Sequence, residues 1–241
     1  MSIYQEEIKL RSKDVDMYRR LRVSNMFQMF QEASIRHTEE LGMGKEKTLD
    51  KGILWIVTLQ RCEIQRMPCY DETVHLKSWP GKTMHLFFPR YYQIEDIQGQ
   101  TLIKASSLWM LADEESRKAV FPEEYGIHIE GTDCDCDIEL PQRMPQLSGG
   151  QVSQITIPFS YIDLNRHVNH TRFFDLAQDY CLPEERNRTI TQIQAEYSHE
   201  VSIEDALTLC HEHDDTGCSF EGSLNTIPCF RIRFTLDTSS T

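Results

Sequence analysis

The chain has 241 residues, of which 39% are hydrophobic and 26% are charged, and its formal net charge at pH 7 is −13. This length suits two small fused domains, and the composition is that of an ordinary globular protein. The acidic balance argues against nucleic acid or an anionic membrane as a general partner. No apolar stretch of membrane-spanning length is present, and the first residues lack the features of a secretory signal, so we expect a cytoplasmic protein.

Eight cysteines are spread over the chain without any C-x-x-C pair. In a cytoplasmic protein of this size we expect free thiols rather than a disulfide framework. Two short motifs raise the question of a metal site, Cys134-x-Cys136 and His211-Glu212-His213. Neither supplies all the ligands that a closed zinc site needs, so we interpret the first as a solvated loop and the second as surface histidines.

The first half of the chain is predicted to be one long helix followed by strands. Apolar residues recur at helical spacing from Val23 to Leu41, and Gly42 is a typical C-terminal stop. Runs rich in β-branched and aromatic residues then predict strands at 53–64, 73–79, 85–94 and 101–111.

The second half repeats this order after a stretch of linker composition. Residues 126–152 are rich in proline, glycine and acidic residues, so they are predicted to link a domain at 1–125 to one at 153–241. A short helix follows, with Pro183 as its stop and with one apolar face made by Phe173, Phe174, Ala177, Tyr180 and Cys181. Strands are then predicted at 189–199, 207–213, 218–224 and 229–236.

Two segments support an internal duplication. Residues 16–31 and 163–178 align without gaps, with aspartate, arginine, phenylalanine and glutamine recurring at equal offsets. Each half therefore predicts a helix that covers the apolar face of an antiparallel sheet. The predicted fold class is α+β, with two tandem domains of this plan.

The second copy concentrates polar groups before its helix. Asp163, Asn165 and His167 occupy alternate positions, which face the same way in an extended loop. The first copy has Tyr18 and Arg20 in place of the amide and the imidazole. This difference favours a single working site in the second half.

A structural alternative for the same segment stays open. Aspartate, asparagine and threonine are common helix caps, so Asp163 with Asn169 or Thr171 is also consistent with simple capping. If the site is functional, the N–H groups at the helix start suit an oxygen that becomes negative during attack.

The segment 163–169 resembles the D-x-N-x-H-V-N signature of the acyl-ACP thioesterase family. Residues 107–111 and 115–124 are similar to the family's strand ending near tryptophan and its following basic turn and proline-glutamate. Residues 62–68 and 196–200 match the family's equivalent strands in each half, and the resemblance extends over most of 3–236. It implies a double hotdog fold that hydrolyses fatty acyl-ACP to a free fatty acid, without a metal or organic cofactor.

The resemblance also implies a catalytic group. It consists of Asp163, Asn165, His167 and Glu200, while Val201 replaces a cysteine once proposed as the family's nucleophile. Because valine cannot attack a thioester, we expect attack by water, with Glu200 as general base, either alone or with Asp163. Asn165 would orient the water or substrate, and His167 would protonate the leaving thiolate. The division of labour among the carboxylates and the imidazole stays open at this point.

The first helix is the expected source of the acyl pocket. Met26, Met29, Phe30 and Ala33 would meet a chain threaded between this helix and its sheet, because thioethers suit flexible ligands. Met17 belongs to the same methionine-rich group, and ordinary core packing is an equally good interpretation of all these residues.

The implied partner is acyl carrier protein with an acyl chain on its phosphopantetheine. The candidate carrier-docking arginines are Arg19, Arg20, Arg22, Arg166 and Arg172, with Arg186 and Arg188 as further positions near the site. A solvated basic face is the structural alternative. A homodimer is compatible with the sequence, and the rival functions are an acyl-CoA thioesterase, a non-catalytic acyl-binding hotdog protein and, least supported, a dehydratase.

Overall fold

The structure, a computed structural model, describes residues 3–132, 137–147, 149–182 and 188–237. The chain divides into two compact units, Met1–Pro141 and Gln142–Thr241. The division falls inside the stretch 126–152 that was predicted to be a linker.

The first unit contains one long helix, α1 (Val23–Glu40), and a five-stranded antiparallel sheet within the described residues. Its strands are β1 (Tyr4–Lys9), β2 (Ile53–Ile64), β3 (Thr73–Pro80), β4 (Phe87–Asp96) and β5 (Thr101–Asp113). They lie in the order β1-β3-β4-β5-β2. The four strands predicted in this half are confirmed within two residues at each end.

Helix α1 buries the apolar face that its sequence predicts. Met26, Phe27, Phe30 and Ala33 are almost completely buried, so the helix packs by this stripe. It ends where expected, because Gly42 adopts a left-handed φ of 68° and donates its N–H to the Glu39 carbonyl. No helix in the described part of the chain is both long and apolar enough to span a bilayer.

The second unit repeats the plan with a shorter helix, α2 (Arg172–Cys181). Its strands are β6 (Gln151–Thr156), β7 (Ile190–Tyr197), β8 (Ala206–Asp214), β9 (Gly217–Leu224) and β10 (Ile227–Leu236). They pair antiparallel in the order β7-β10-β9-β8-β6. The core of this unit is aromatic, with Phe174, Phe220, Phe230 and Phe234 fully buried.

Both units follow one topology. Numbered from its own N-terminal end, each sheet has the order first, third, fourth, fifth, second strand. Each helix lies in the connection between the first and the second strand of its unit. The duplication predicted from the sequence is therefore confirmed, and with it the α+β fold class.

Two strands had no sequence prediction. Strands β1 and β6 are edge members of their sheets, and most of their side chains are polar and partly or fully exposed. An edge strand buries little apolar surface, so it lacks the hydrophobic run from which strands are predicted.

Part of the predicted linker is packed rather than solvated. Ile127, Ile129 and Ile138 are buried, and Thr83 exchanges hydrogen bonds with the backbone of Ile129 at 2.9 and 3.2 Å. Cys134 and Cys136, like Pro183, lie outside the described residues.

The expectation that all eight cysteines are free thiols is wrong for two of them. Cys181, the last residue of α2, forms a disulfide with Cys218 of β9. The prediction of free thiols rested on the redox conditions expected in the cytoplasm. The packing of the helix end on the sheet, which the sequence does not show, decides which two sulfurs lie close together. Cys62, Cys69, Cys210 and Cys229 are free.

Candidate active site

The segment that carries the catalytic candidates forms a tight turn in front of α2. Asp163 donates its N–H to the His167 carbonyl at 2.9 Å, and Arg166 donates to the Asp163 carbonyl at 3.0 Å. Arg166 adopts a left-handed φ of 67° to close the turn. The extended loop assumed from the sequence is therefore wrong, because the backbone folds back on itself between these residues.

This turn is hydrogen-bonded to the segment after β7. Val168 donates its N–H to the Val201 carbonyl at 2.8 Å, which places their neighbours side by side. As a result, His167 Nε2 lies 3.1 Å from Glu200 Oε2. Val201 itself is buried, so its side chain serves packing.

The His167–Glu200 pair is open enough to meet a substrate. The side chains are 20% and 38% exposed, respectively. The half-buried Asn165 side chain makes no hydrogen bond to any described residue, so its amide is available to bind water or a carbonyl oxygen. A carboxylate that contacts an imidazole is suited to proton transfer, and a neutral amide on the same turn as the imidazole is suited to orienting a nucleophilic water.

Asp163 has a different role within the turn. Its Oδ1 accepts the Asn165 N–H at 2.8 Å, as in an Asx turn. Burial raises the pKa of Asp163, while hydrogen bonds from the backbone of Asn165 and His167 and the nearby imidazole act in the opposite direction. The carboxylate thus holds the loop that presents Asn165 and His167.

The first unit contains the same turn with the same hydrogen bonds. Asp16 donates its N–H to the Arg20 carbonyl at 2.8 Å, Arg19 donates to the Asp16 carbonyl at 3.0 Å, and Arg19 has a φ of 63°. The Oδ1 of Asp16 accepts the Tyr18 N–H at 2.8 Å. Because the aspartate is present in both copies, the architecture of the turn accounts for it.

The two copies differ where chemistry is expected. Leu21 donates its N–H to the Pro68 carbonyl at 2.8 Å, as Val168 does to Val201, so the first-unit counterpart of Glu200 is Met67. Asn165, His167 and Glu200 are thus replaced by Tyr18, Arg20 and Met67. The first copy thus has neither the amide, nor the imidazole, nor the carboxylate, which supports a single site in the second unit.

The residues before α2 form local hydrogen bonds with one another. Asn169 Oδ1 accepts hydrogen bonds from the N–H and the hydroxyl of Thr171 at 3.0 and 2.7 Å. The N–H groups of Arg172 and Phe173 go to the carbonyls of Asn169 and His170. The N–H groups at these positions thus already have backbone acceptors, contrary to the expectation of free donors for an oxyanion. No side chain of the described residues caps the helix at Thr171, so Asn169 orders the residues before the helix rather than capping it.

His170 lies next to the loop and was not singled out by the sequence. Its ring contacts Tyr197 edge-on at 5.3 Å, and its buried Nε2 has no hydrogen-bond partner among the described residues. Burial lowers the pKa of His170 to about 4 and raises that of Tyr197 well above its usual range. Both groups are thus held neutral at physiological pH.

The predicted acyl-pocket residues lie on the buried side of α1. Met26, Phe30 and Ala33 are fully buried and Met29 is half-buried, and the Phe30 ring stacks on Tyr92 at 4.6 Å. Met17 is 83% exposed and precedes the helix, so its assignment to this face is wrong. The geometry is consistent with core packing and with an acyl-lining role alike.

The candidate docking arginines differ in their contacts. Arg19 and Arg166 are exposed at the tips of the two turns. Arg20 pairs with Asp16 at 3.4 Å, and exposed Arg22 donates to the Val15 carbonyl at 2.9 Å. Three further positions complete the set: Arg172 pairs with Asp175 at 3.3 Å, Arg188 donates to the carbonyl of Asp237 at 2.8 Å, and Arg186 lies outside the described residues.

The comparisons with known families agree with this architecture. The chain belongs to the acyl-ACP thioesterase family: the family's N-terminal domain matches residues 1–125 and its C-terminal domain matches residues 146–227. It is similar to a solved acyl-ACP thioesterase from Bacteroides thetaiotaomicron, with a TM-score of 0.87 and 21% identity over 98% of this chain and 100% of that one. A 12:0-ACP thioesterase from Umbellularia californica gives a TM-score of 0.82 and 18% identity over 98% and 97% of the two chains.

The curated relatives are longer than this chain. An acyl-[acyl-carrier-protein] hydrolase of Cuphea viscosissima is 21% identical over 231 residues, which are 89% of this chain and 56% of that protein. A dodecanoyl-[acyl-carrier-protein] hydrolase of Cinnamomum camphora is 21% identical over 222 residues, or 85% and 58% of the two chains. This chain thus spans about half the length of the curated relatives it matches. The predicted family and the hotdog fold of each unit are confirmed.

Proposed function

We propose that this protein hydrolyses the thioester of fatty acyl-ACP, releasing a free fatty acid and the carrier thiol and thereby terminating fatty acid synthesis. Family membership supports the reaction class. The observation that carries the proposal is the contact between His167 Nε2 and Glu200 Oε2, with Asn165 on the same turn as His167. No metal or organic cofactor enters the proposed reaction.

The proposed reaction begins with a water molecule oriented by Asn165. The His167–Glu200 pair takes a proton from this water as its oxygen attacks the thioester carbonyl carbon, with Glu200 as the base. A tetrahedral intermediate with a negative oxygen forms, and the Asn165 amide is the neutral donor placed to stabilise it. When the carbon–sulfur bond breaks, the proton passes through His167 to the leaving thiolate.

Covalent catalysis by a cysteine is not part of this proposal. Val201 occupies the family's cysteine position and is buried, and burial raises the pKa of Cys62 well above its usual range and that of Cys229 to about 11. A thiol with a raised pKa is mostly protonated at neutral pH and is therefore a poor nucleophile.

The partner in this proposal is an acidic carrier protein with a phosphopantetheine arm. The exposed guanidiniums of Arg19 and Arg166 stand at the tips of the two turns, and Arg166 directly precedes His167. Arginine suits phosphate and carboxylate recognition, so a local cationic contact can oppose the net charge of −13. The cytoplasmic location and the homodimer remain predictions.

The experiment is a turnover assay with purified protein and matched acyl-ACP and acyl-CoA series of varied chain length. Free fatty acid is quantified by mass spectrometry, so the protein's own thiols do not contribute. We expect faster hydrolysis of acyl-ACP, and we expect Asn165→Ala and His167→Ala to slow every chain length alike.

Two results would replace the proposal. Faster hydrolysis of acyl-CoA than of acyl-ACP would assign the site to an acyl-CoA thioesterase. Binding of both substrates by folded protein without release of fatty acid would make it an acyl-binding protein.

A further inference from the structure

A second cluster of reactive side chains lies in the second unit, at the hairpin between β8 and β9. His211 and His213 are two residues apart on β8, so their side chains project from the same face. Cys218 on β9 is the register partner of His213, which places its side chain on that face too. One ligand atom from each of these three residues lies within 4.8 Å of the others.

Helix α2 brings a second sulfur to the cluster. Cys181 is its last residue, and its sulfur is bonded to that of Cys218. The preceding Tyr180 stacks on Phe220, which is the register partner of His211. The end of the helix is therefore held on the sheet face that carries the histidines.

We propose that, once the Cys181–Cys218 disulfide is reduced, His211, His213, Cys181 and Cys218 bind one Zn²⁺ ion. Two imidazoles and two thiolates are a set that tetrahedral structural zinc sites use. With Zn–S near 2.3 Å and Zn–N near 2.0 Å, the ligand atoms of such a site stand about 3.5 Å apart. The observed separations of up to 4.8 Å are within reach of side-chain rotation.

The disulfide and the metal are mutually exclusive because they use the same sulfurs. A dithiol reductant breaks the sulfur–sulfur bond by giving two electrons and two protons, which leaves two protein thiols and the oxidised reductant. Binding of Zn²⁺ then releases the two thiol protons. A reducing environment therefore favours the dithiol form and with it the metal, whereas an oxidising one favours the disulfide.

The position of the cluster indicates a structural rather than a catalytic metal. Cys181 and Cys218 are fully buried and His211 is 9% exposed, whereas His213 is exposed and provides access for the ion. Four protein ligands leave no coordination position for a substrate. The metal would join the end of α2 to the β8–β9 hairpin in place of the disulfide.

The sequence interpretation of these residues needs one correction. His213 is a surface histidine as expected, but His211 is buried. Linear spacing shows only the H-x-H pair, because one further ligand comes from the paired strand and the other from a helix earlier in the chain.

The experiment is equilibrium dialysis of the full chain against buffered Zn²⁺, in the oxidised and the dithiol-reduced states. Reduced wild type should take up one equivalent. His213→Ala removes a ligand. Its affinity for Zn²⁺ should therefore fall by more than the ~10–100-fold that is typical when a residue supporting a ligand is lost. His128→Ala, at an exposed histidine of the first unit, is the matched control and should bind as wild type does.

Two further measurements make the result decisive. When Co²⁺ replaces Zn²⁺, the reduced wild type should show the visible absorption bands of tetrahedral Co²⁺ and a thiolate-to-metal charge-transfer band. Cys181→Ser should weaken both features. The oxidised wild type should take up no more Zn²⁺ than the reduced His213→Ala variant does. Equal uptake by oxidised and reduced protein, or uptake by reduced wild type no greater than by His213→Ala, would overturn the proposal.

Discussion

His167 Nε2 lies 3.1 Å from Glu200 Oε2, although the imidazole belongs to the turn before α2 and the carboxylate to the segment after β7. The link between these segments is the hydrogen bond from Val168 to the Val201 carbonyl. The pair is thus positioned by backbone contacts adjacent to it, which makes its side chains replaceable without loss of the fold.

Glu200→Gln should lower hydrolysis by ~10²–10⁴-fold while leaving the fold unchanged, because a lost general base typically costs this much. Turnover of acyl-ACP and circular dichroism together check the prediction. Glu204→Gln, in the same connection between β7 and β8, is the matched control and should keep wild-type turnover. Near-normal turnover by Glu200→Gln would contradict the mechanism.

Asp163→Asn should keep the turn, because an amide oxygen can accept the Asn165 N–H as the carboxylate does. We expect a smaller loss of turnover than for Glu200→Gln, whereas Asp163→Ala should lower stability by about 1 kcal/mol through the lost hydrogen bond. Denaturant unfolding measures stability. Asp16→Asn in the first unit should change stability as little as Asp163→Asn does. If Asp163→Asn and Glu200→Gln lowered turnover equally, Asp163 would have a direct chemical role.

All eight cysteines should be dispensable for the reaction. Iodoacetamide should label exposed Cys69 readily and leave turnover largely intact, since Cys62 and Cys229 are buried. Mass spectrometry of the labelled protein establishes which thiols reacted. Complete inactivation by one equivalent at a single cysteine, prevented by substrate, would restore covalent catalysis as the mechanism.

Substitutions on α1 should change the preferred acyl chain length. Met29→Ala should admit longer or bulkier chains and Ala33→Leu should exclude them, because added methylenes in a packed site cost ~1–3 kcal/mol. The profile of turnover against chain length, at matched amounts of folded protein, checks this. If the Met29 and Ala33 variants keep the wild-type profile while changes at Phe174 or Ala177 shift it, the acyl pocket lies at α2 of the second unit instead.

The imidazole of His170, whose Nε2 is buried, should make stability depend on pH. Its pKa is about 4 in the folded protein and near 6.5 in the unfolded chain, so its contribution is complete above pH 6.5 and is lost as pH falls towards 4. His170→Phe should flatten this part of the stability curve by up to about 3 kcal/mol. His37, whose pKa is also about 4, acts in the same window and remains.

Denaturant unfolding at several pH values measures the effect. His128→Phe changes an exposed histidine and should leave the slope as in wild type. An identical slope in His170→Phe and wild type would show that this imidazole does not titrate on unfolding.

The sequence predicted the inner strands because they bury continuous or alternating apolar runs, as β10 does with Phe230, Ile232, Phe234 and Leu236. The edge strands β1 and β6 carry no such signal. Most of their side chains are polar, and pairing with β3 and β8 defines these strands.

The site was predicted in part. The residues Asn165, His167 and Glu200 followed from family resemblance, but the turn was misjudged, since alternation of polar residues assumes an extended backbone that the Asx turn at Asp163 prevents. The equivalence of Glu200 with Met67 needed the backbone hydrogen bonds of both units. The Cys181–Cys218 disulfide required knowledge of where the helix ends on the sheet.

The left-handed backbone at Arg19 and Arg166 has an energetic consequence. A residue other than glycine in this conformation is strained by roughly 1–2 kcal/mol, and glycine would relieve the strain without altering the turn. Both turns nevertheless present an arginine at this position, with the guanidinium exposed. Both turns thus accept backbone strain at a position that carries an exposed positive charge, and the proposed docking of an acidic carrier would use that charge.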